Sequence, residues 1–517
     1  YKIRPPKLKP KVLLQRNFGR MSYNRDAQRR HIHGAVVNGE PAKVWKFLKT
    51  LVIGKSTQNS INKNVDLNQL NQHFSTFTTF TGPIKTDTLS SLSRCPTPDF
   101  PPFFLAHFTD SDVKKNVLAI SSNAVGVDSV LDRLVHHQLT SFLNRHELMN
   151  PLQSGFRSGH NFSNAFNTVD FDVLLSLMRA VNISPVTIGW FRSYLECRRQ
   201  RVKVDSSISF WCSTLAGVPQ GGVLSPLLFS IFINSITTNI SSSYHLYADD
   251  LQIYSQCVMN DLPQGISSIN RDLDHISSWS KRYGLKVNPS KSQAIILGSS
   301  QLISRIDFPN LPFIVFDGVP VPFSSQVKNL GVILDRTLSW VPQISEIGRK
   351  MFASLGSLRR LRNFLPLATR IALAQSLLLP ILDYADICYL DLTQDQLNKL
   401  ERLQNACIRF IFGLRKYDHV SEFRTQLKWL PIRHRRNSHI LVLLYNILFN
   451  PTTPLYLKQR FSYLSSVRCA EKHLLAPPSS SSKFYINSFT FRAVRLWNAL
   501  PLDIRCAKSL PIFKNLL

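Results

Sequence analysis

At 517 residues the chain is longer than one hydrophobic core usually spans, and 44% hydrophobic residues with 33 Phe supply enough apolar surface for two or three folded subdomains. Its 62 Lys and Arg against 32 Asp and Glu leave a formal charge of +30, which excludes an acidic or neutral character and points to a polyanionic partner held by counterion release. No run of 18 apolar residues and no secretory signal is present, so a membrane partner and export are not expected; the most apolar segment, Ile371 to Leu382, is interrupted by Gln375 and Pro380.

Residues 1 to 30 concentrate cations, among them Lys7, Lys9, Lys11, Arg29 and Arg30, against the single acid Asp26, while Pro5, Pro6 and Pro10 discourage helix. The segment reads either as a nucleic-acid-binding arm or as a solvated linker. Ser56 to Pro98 is Ser/Thr-rich with weak periodicity, so residues 1–110 are expected to be a basic arm and loosely structured linker. Residues 111–160 read as helical. Farther on, Ala216-Gly217-Val218-Pro219-Gln220-Gly221-Gly222 is a backbone able to approach a ligand closely, and Ser225-Pro226 opens a strongly apolar helix.

Ser243 to Tyr254 alternates apolar residues on both sides of Asp249-Asp250, the pattern of a β-hairpin with two carboxylates at its tip. Such a pair is either a solvated turn or a site for a hard divalent cation such as magnesium. Ile266, Ile269, Leu273 and Ile276 then mark one face of a helix, and Ile344, Ile347, Met351, Leu355 and Leu358 mark another. A further helix runs from Leu397 to Phe412, starting after Thr393 and stopping at Gly413. Lys428 to Arg436 mixes Trp429 with four cations and reads as a phosphate contact or a solvated helix face. Pro477 to Ser482 is a break before a short C-terminal module. No Cys-x-x-Cys pair exists among the eight cysteines, so reduced core thiols are expected and zinc is not, even at Cys469 and His473.

Tyr247-Ala248-Asp249-Asp250 together with Gly217 to Gly221 resembles the reverse transcriptase family, within it the polymerases of non-LTR, jockey-like retrotransposons. Further stretches fall in that family's order. Gln153-Ser154-Gly155-Phe156-Arg157-Ser158-Gly159-His160 resembles its fingers-to-palm segment. Gly284 to Ser292 resembles the motif whose lysine, here Lys291, protonates the leaving pyrophosphate. Val327 to Asp335, with Leu330 and Gly331 at its turn, resembles the primer grip, and Ala493 to Pro501 is similar to the ends of jockey-like open reading frames. The resemblance implies an α+β fold with a right-hand polymerase palm, truncated fingers, and helical thumb and C-terminal regions. Its expected divisions are fingers at 111–160, palm at 161–340, thumb and connection at 341–476 and a C-terminal module at 477–517.

By the same resemblance Asp249 is a metal ligand, Asp250 a supporting carboxylate and Lys291 a general acid. Gly217, Pro219, Gln220 and Gly221 meet the template pair, Phe166 excludes a ribose 2′-hydroxyl, and Arg157 contacts substrate. Two Mg2+ ions, an RNA template, a DNA primer and deoxynucleoside triphosphates are the implied cofactors and partners. The implied setting is intracellular, in nucleus and cytoplasm, as a ribonucleoprotein.

Three departures set this chain apart. His160-Asn161-Phe162-Ser163-Asn164-Ala165-Phe166 corresponds to the palm's first strand, and Asn161 stands where the other metal-binding Asp belongs. An amide oxygen brings no charge to bridge two magnesium ions. Asp170 and Asp172 lie nine and eleven positions on, roughly 30 Å along an extended strand, and are poor substitutes. Arg157 and Phe162 are five positions apart, leaving no room for the helix that family members place there. The basic fingers segment is missing near Gly126 to Arg133. The chain also starts at Tyr1 without an endonuclease-like region, and the whole reads as a decayed copy. The rival expectation is a catalytically dead nucleic-acid-binding remnant; an intron maturase or telomerase subunit is disfavoured for want of a finger or dedicated RNA-binding domain.

Overall fold

The computed structural model describes residues 66–75, 80, 82–118, 128–153, 168–196, 198–204, 207–219, 222–464, 473–479 and 483–517. Arg157, Asn161, Phe166, Gln220, Gly221, the basic arm and Cys469 lie outside these described residues. Two compact units meet in sequence between Ser324 and Ser325. Both mix helices with small antiparallel sheets, an α+β architecture.

In the first unit the longer helices are α1 (Leu67–Ser75), α2 (Pro83–Ser93), α3 (Asp110–Leu118), α4 (Asp128–Arg145), α5 (Phe171–Ala180), α6 (Pro185–Leu195), α7 (Ser225–Ile233) and α8 (Leu262–Tyr283). Helix α7 is apolar on nearly every side, and Leu228, Phe229 and Phe232 are buried against Val135, Leu139, Val173, Met178 and Phe191. Burying each large side chain is worth about 1.5–3 kcal/mol, so this cluster contributes strongly to the unit's stability. Pro226 sits at the opening turn of α7, where its missing N–H costs nothing. The α8 stripe behaves as its spacing predicts. Ile266 and Ile276 are buried, Ile269 and Leu273 pack beside them, and all face Ile314, Phe316 and Val321 of the hairpin β7 (Ile314–Phe316) and β8 (Val319–Val321).

Within Ser56 to Pro98, expected to be loosely structured, the described residues instead form α1 and α2. Long-range hydrogen bonds, which periodicity does not register, hold them. Thr88 Oγ1 donates to the Arg282 carbonyl at 2.8 Å, and Lys85 Nζ meets both Asp170 and Asp172 at 2.9 Å.

The second unit contains α9 (Val341–Leu361), α10 (Leu367–Leu373), α11 (Leu379–Asp383), α12 (Gln394–Phe412), α13 (Ile432–Phe449), α14 (Phe489–Asn498) and α15 (Leu510–Leu516). All five apolar stripe residues of α9 are buried with Leu400, Leu403, Cys407 and Phe410 of α12. Thr393 and Gln396 form a reciprocal capping box at the start of α12, and Gly413 at φ 77° ends it in the left-handed region. Between α10 and α11 runs a π turn, Ala374–Leu378, with Pro380 just after it. By length and composition Leu367–Cys388 could cross a membrane, yet Leu373, Ala374, Leu378, Leu379 and Leu382 belong to the core. Trp497 of α14 is fully buried and donates from Nε1 to the His473 carbonyl at 2.9 Å.

Two more expectations are met only in part. Of Lys428 to Arg436, Lys428, Arg433 and His434 are exposed, while the rest of its aromatic and cationic side chains are taken up inside the protein. Trp429 and Arg436 are buried, Arg435 pairs with Asp383, and Arg436 donates to the carbonyls of Asp386 and Tyr389 at 2.7 and 2.6 Å. Among the described cysteines, all free, Cys407 alone is in the core, while Cys95, Cys257, Cys388 and Cys506 are exposed.

Candidate active site

Strands β5 (Ser243–Tyr247) and β6 (Asp250–Tyr254) pair antiparallel with Tyr247 opposite Asp250, which leaves Ala248-Asp249 as a two-residue turn. Ala248 has φ 58°, the positive value that the first position of a II′ turn requires and that glycine normally fills. Here alanine holds it, fully buried, because the surroundings fix the peptide. Gln153 Oε1 accepts from Ala248 N–H at 3.2 Å, its Nε2 donates to the Ala248 carbonyl at 3.5 Å, and Leu246 N–H donates to the Leu152 carbonyl at 3.2 Å. At the other end of β5, buried Asp272 of α8 accepts from the N–H groups of Ser241 and Ser242 at 2.9 and 3.0 Å. The hairpin is therefore anchored at both ends, and strain at its tip is stored next to two carboxylates.

Both carboxylates reach solvent yet are crowded by surrounding protein. Desolvation pushes the Asp249 carboxyl above its ordinary range; Asp250 adds to the rise and Lys291 opposes it. Desolvation raises Asp250 as well. The arrangement thus places Lys291, in the short 3-10 turn Pro289–Lys291, within electrostatic reach of Asp249. An acidic pair that resists ionisation is a pair that a cation would stabilise.

Of the glycine loop, Gly217 at φ 92° donates its N–H to the Val169 carbonyl at 2.7 Å, tying the loop to the segment that follows Asn161 in sequence. Ser225 Oγ donates to the Pro219 carbonyl, closing the loop onto the start of α7. A Cβ on Gly222 would stand 2.9 Å from Ser225 Oγ and 3.1 Å from the Tyr194 hydroxyl, so a side chain there would have to displace the Ser225 hydroxyl that closes the loop.

Asp170 and Asp172, nine and eleven positions after Asn161, are committed elsewhere. Asp170 caps α5 by accepting from Val173 N–H and pairs with Lys85; Asp172 is held below the usual carboxylate range chiefly by Lys85 and also by Arg192. No group of three His, Cys, Asp or Glu side chains suited to a metal occurs among the described residues, so Asp249 and Asp250 stand there as a pair.

In the second unit, β9 (Gln326–Asn329) and β10 (Val332–Asp335) are joined by Leu330 and Gly331 at φ 43° and 89°, both positive as a I′ turn demands. Tyr384 clamps this tip: its hydroxyl donates to the Leu330 carbonyl at 2.6 Å, and a Cβ on Gly331 would meet its ring at 3.0 Å. Nothing in the sequence signals Tyr384. Between α9 and α12 lies a cavity of about 850 Å³ lined by Arg359, Arg362, Lys399, Arg402, Arg409 and Lys416, with no acidic residue in the lining. These cations give the cavity a positive lining.

Residues 114–334 match the sequence profile of the family described as reverse transcriptase (RNA-dependent DNA polymerase). That segment of the chain is similar to a reverse transcriptase domain, and the relatives it matches are polymerases of Drosophila transposons. It is 28% identical over 322 residues to a probable RNA-directed DNA polymerase from transposon BS of Drosophila melanogaster, covering 54% of this chain and 34% of that protein. It is 24% identical over 350 residues to the probable polymerase from transposon X-element of the same fly, covering 60% and 37%. With the polymerase from mobile element jockey of that species it shares 26% over 248 residues, covering 46% and 26%. The chain thus spans about a third of the length of these curated relatives.

Proposed function

We propose that this chain is the RNA-directed DNA polymerase part of a non-LTR retrotransposon, with palm, fingers and thumb divided as its sequence resemblance implies, and that this copy retains nucleic-acid binding without efficient synthesis. The observation that carries the reading is the anchored, strained turn at Ala248, which holds Asp249 and Asp250 beside Lys291 inside the matched segment. In the parent reaction a primer 3′-oxygen attacks a nucleotide α-phosphate between two divalent ions. The donors of this chain do not fit that pair of ions: Asp249 and Asp250 supply two carboxylates, and Asn161 contributes no charge where the shared one belongs. What the chain's own residues supply is an acidic recess for one hard cation, Lys291 as a positive neighbour, and the Gly217 loop and the α9–α12 cations as nucleic-acid contacts.

The test is equilibrium binding of an RNA–DNA template–primer by fluorescence anisotropy. We expect tight binding at low salt that weakens steeply as salt rises. Arg402→Gln with Arg409→Gln should lower affinity several-fold, and binding that neither salt nor these substitutions alter would contradict the reading. A second reading, a dead remnant that merely binds polyanions, is favoured by Asn161 and separated from the first by whether a paired 3′ end is preferred over duplex lacking one.

A further inference from the structure

Between α6 and the glycine loop the chain folds into a double-paired hairpin with no role in the site described above. Strand β1 (Arg199–Gln200) pairs with β4 (Cys212–Ser213), and β2 (Lys203–Val204) pairs with β3 (Ser207–Ile208). Gln200 lies opposite Cys212 and Lys203 opposite Ile208, so three steps along one strand face four along the other. The extra residue is a β-bulge, a device that re-aims side chains.

The bulge falls at Ser209 to Trp211, and its backbone is held with care. Asn71 of α1 donates to the Phe210 carbonyl at 2.7 Å, Phe210 N–H donates to Asn68 Oδ1 at 2.9 Å, and Asn71 itself is fully buried. Two polar side chains thus fix a peptide whose ring is left in water. Phe210 is 77% exposed and Trp211 55%, with Ile208 and Leu215 exposed beside them. A folded chain that only needed stability would turn these rings inward, since an exposed ring forgoes about 1.5–3 kcal/mol of burial.

Cations dominate the described residues around the rings; the hairpin's one acid, Asp205, lies outside the described residues. Arg198, Arg199, Arg201 and Lys203 are all exposed, and no acid occurs at the described positions 198–204 and 207–215. Arg201 stacks over the Trp211 ring at 4.5 Å and Arg198 over Tyr194 at 4.5 Å, so the cations lie against the aromatic surfaces. Rings with interleaved cations are what an unpaired nucleic-acid strand recognises: bases stack on the rings while phosphates meet the charges. A duplex keeps its bases stacked inside and cannot use the rings.

We propose that Phe210 and Trp211, with Arg199, Arg201 and Lys203, form a docking platform for single-stranded RNA, the unpaired part of the template. The choice of RNA rests on the polymerase reading of the preceding subsection.

The full-length protein is irradiated with a short single-stranded RNA carrying iodouridine, and adducts are mapped by mass spectrometry. Adducts at Phe210 or Trp211 are expected. Phe210→Ala with Trp211→Ala should lower single-strand RNA affinity about tenfold or more while leaving binding of a blunt-ended RNA–DNA duplex unchanged. Trp211→Phe should retain most of the affinity, which separates stacking from loss of fold; the adduct map on the unmodified protein needs no variant at all. Adducts confined to other residues, equal losses for duplex and single strand, stronger binding of the same sequence as DNA, or ring-dependent binding of anionic phosphatidylserine vesicles in preference to RNA would each overturn the proposal. Intact duplex binding with no adduct on the hairpin overturns the platform alone, whereas failure to bind any nucleic acid removes the polymerase reading too.

Discussion

Asp249 and Asp250 carry carboxyls whose folded-state pKa values are raised, so the folded chain prefers their protonated forms. Their effect on folding is therefore neutral to favourable below the ordinary carboxylate pKa and turns into a cost as pH rises through the folded values. Asp249→Asn with Asp250→Asn should not lower Tm at neutral pH and should remove part of the loss of stability that sets in as pH rises above the ordinary carboxylate value of about 4. Added MgCl2 should raise the Tm of the unmodified protein and not of the double variant. Thermal unfolding across pH, with and without the salt, checks both, and a Tm drop on substitution would contradict the desolvated pair. At Tyr384 the expected effect is simpler. Tyr384→Phe removes the hydroxyl bond to Leu330 and should cost about 1 kcal/mol in urea unfolding, with hydrogen exchange rising at Gly331. The two carboxylates were legible in sequence because the turn places them next to each other. Tyr384 was not, because a side chain recruited from more than fifty positions away leaves no local pattern.

Among the elements, legibility followed periodicity. The stripes of α8 and α9 and the Thr393 and Gly413 signals of α12 each use local spacing that the fold then honours. Thr393→Ala should accordingly cost about 1 kcal/mol by loss of the cap, and Gly413→Ala more than about 0.5 kcal/mol because φ 77° disfavours a side chain. Chemical denaturation of each variant measures this, and no change for Thr393→Ala would mean that the capping box is redundant. Helices α1 and α2 escaped notice because Asn71, Lys85 and Thr88 earn their places by distant partners. The Arg199 to Ser213 hairpin escaped because strands of two residues are too short to display alternation.

For the whole molecule, the +30 charge predicts nucleic-acid binding that is largely independent of sequence and falls linearly on a log–log plot against salt. Deleting residues 1–30 should flatten that slope; an unchanged slope would assign the binding to cations such as those between α9 and α12. The function proposed above is that of a reverse transcriptase in which Asn161 replaces one of the metal-binding carboxylates. Primer extension on a poly(rA) template with an oligo(dT) primer and magnesium tests this directly. The unmodified protein should give no measurable product, since losing a bridging carboxylate is worth several kcal/mol, roughly a thousandfold or more in rate. Asn161→Asp alone should restore little while the triphosphate remains poorly positioned. Robust extension by the unmodified protein, abolished by Asp249→Ala, would contradict the account and show that another residue supplies the missing ligand.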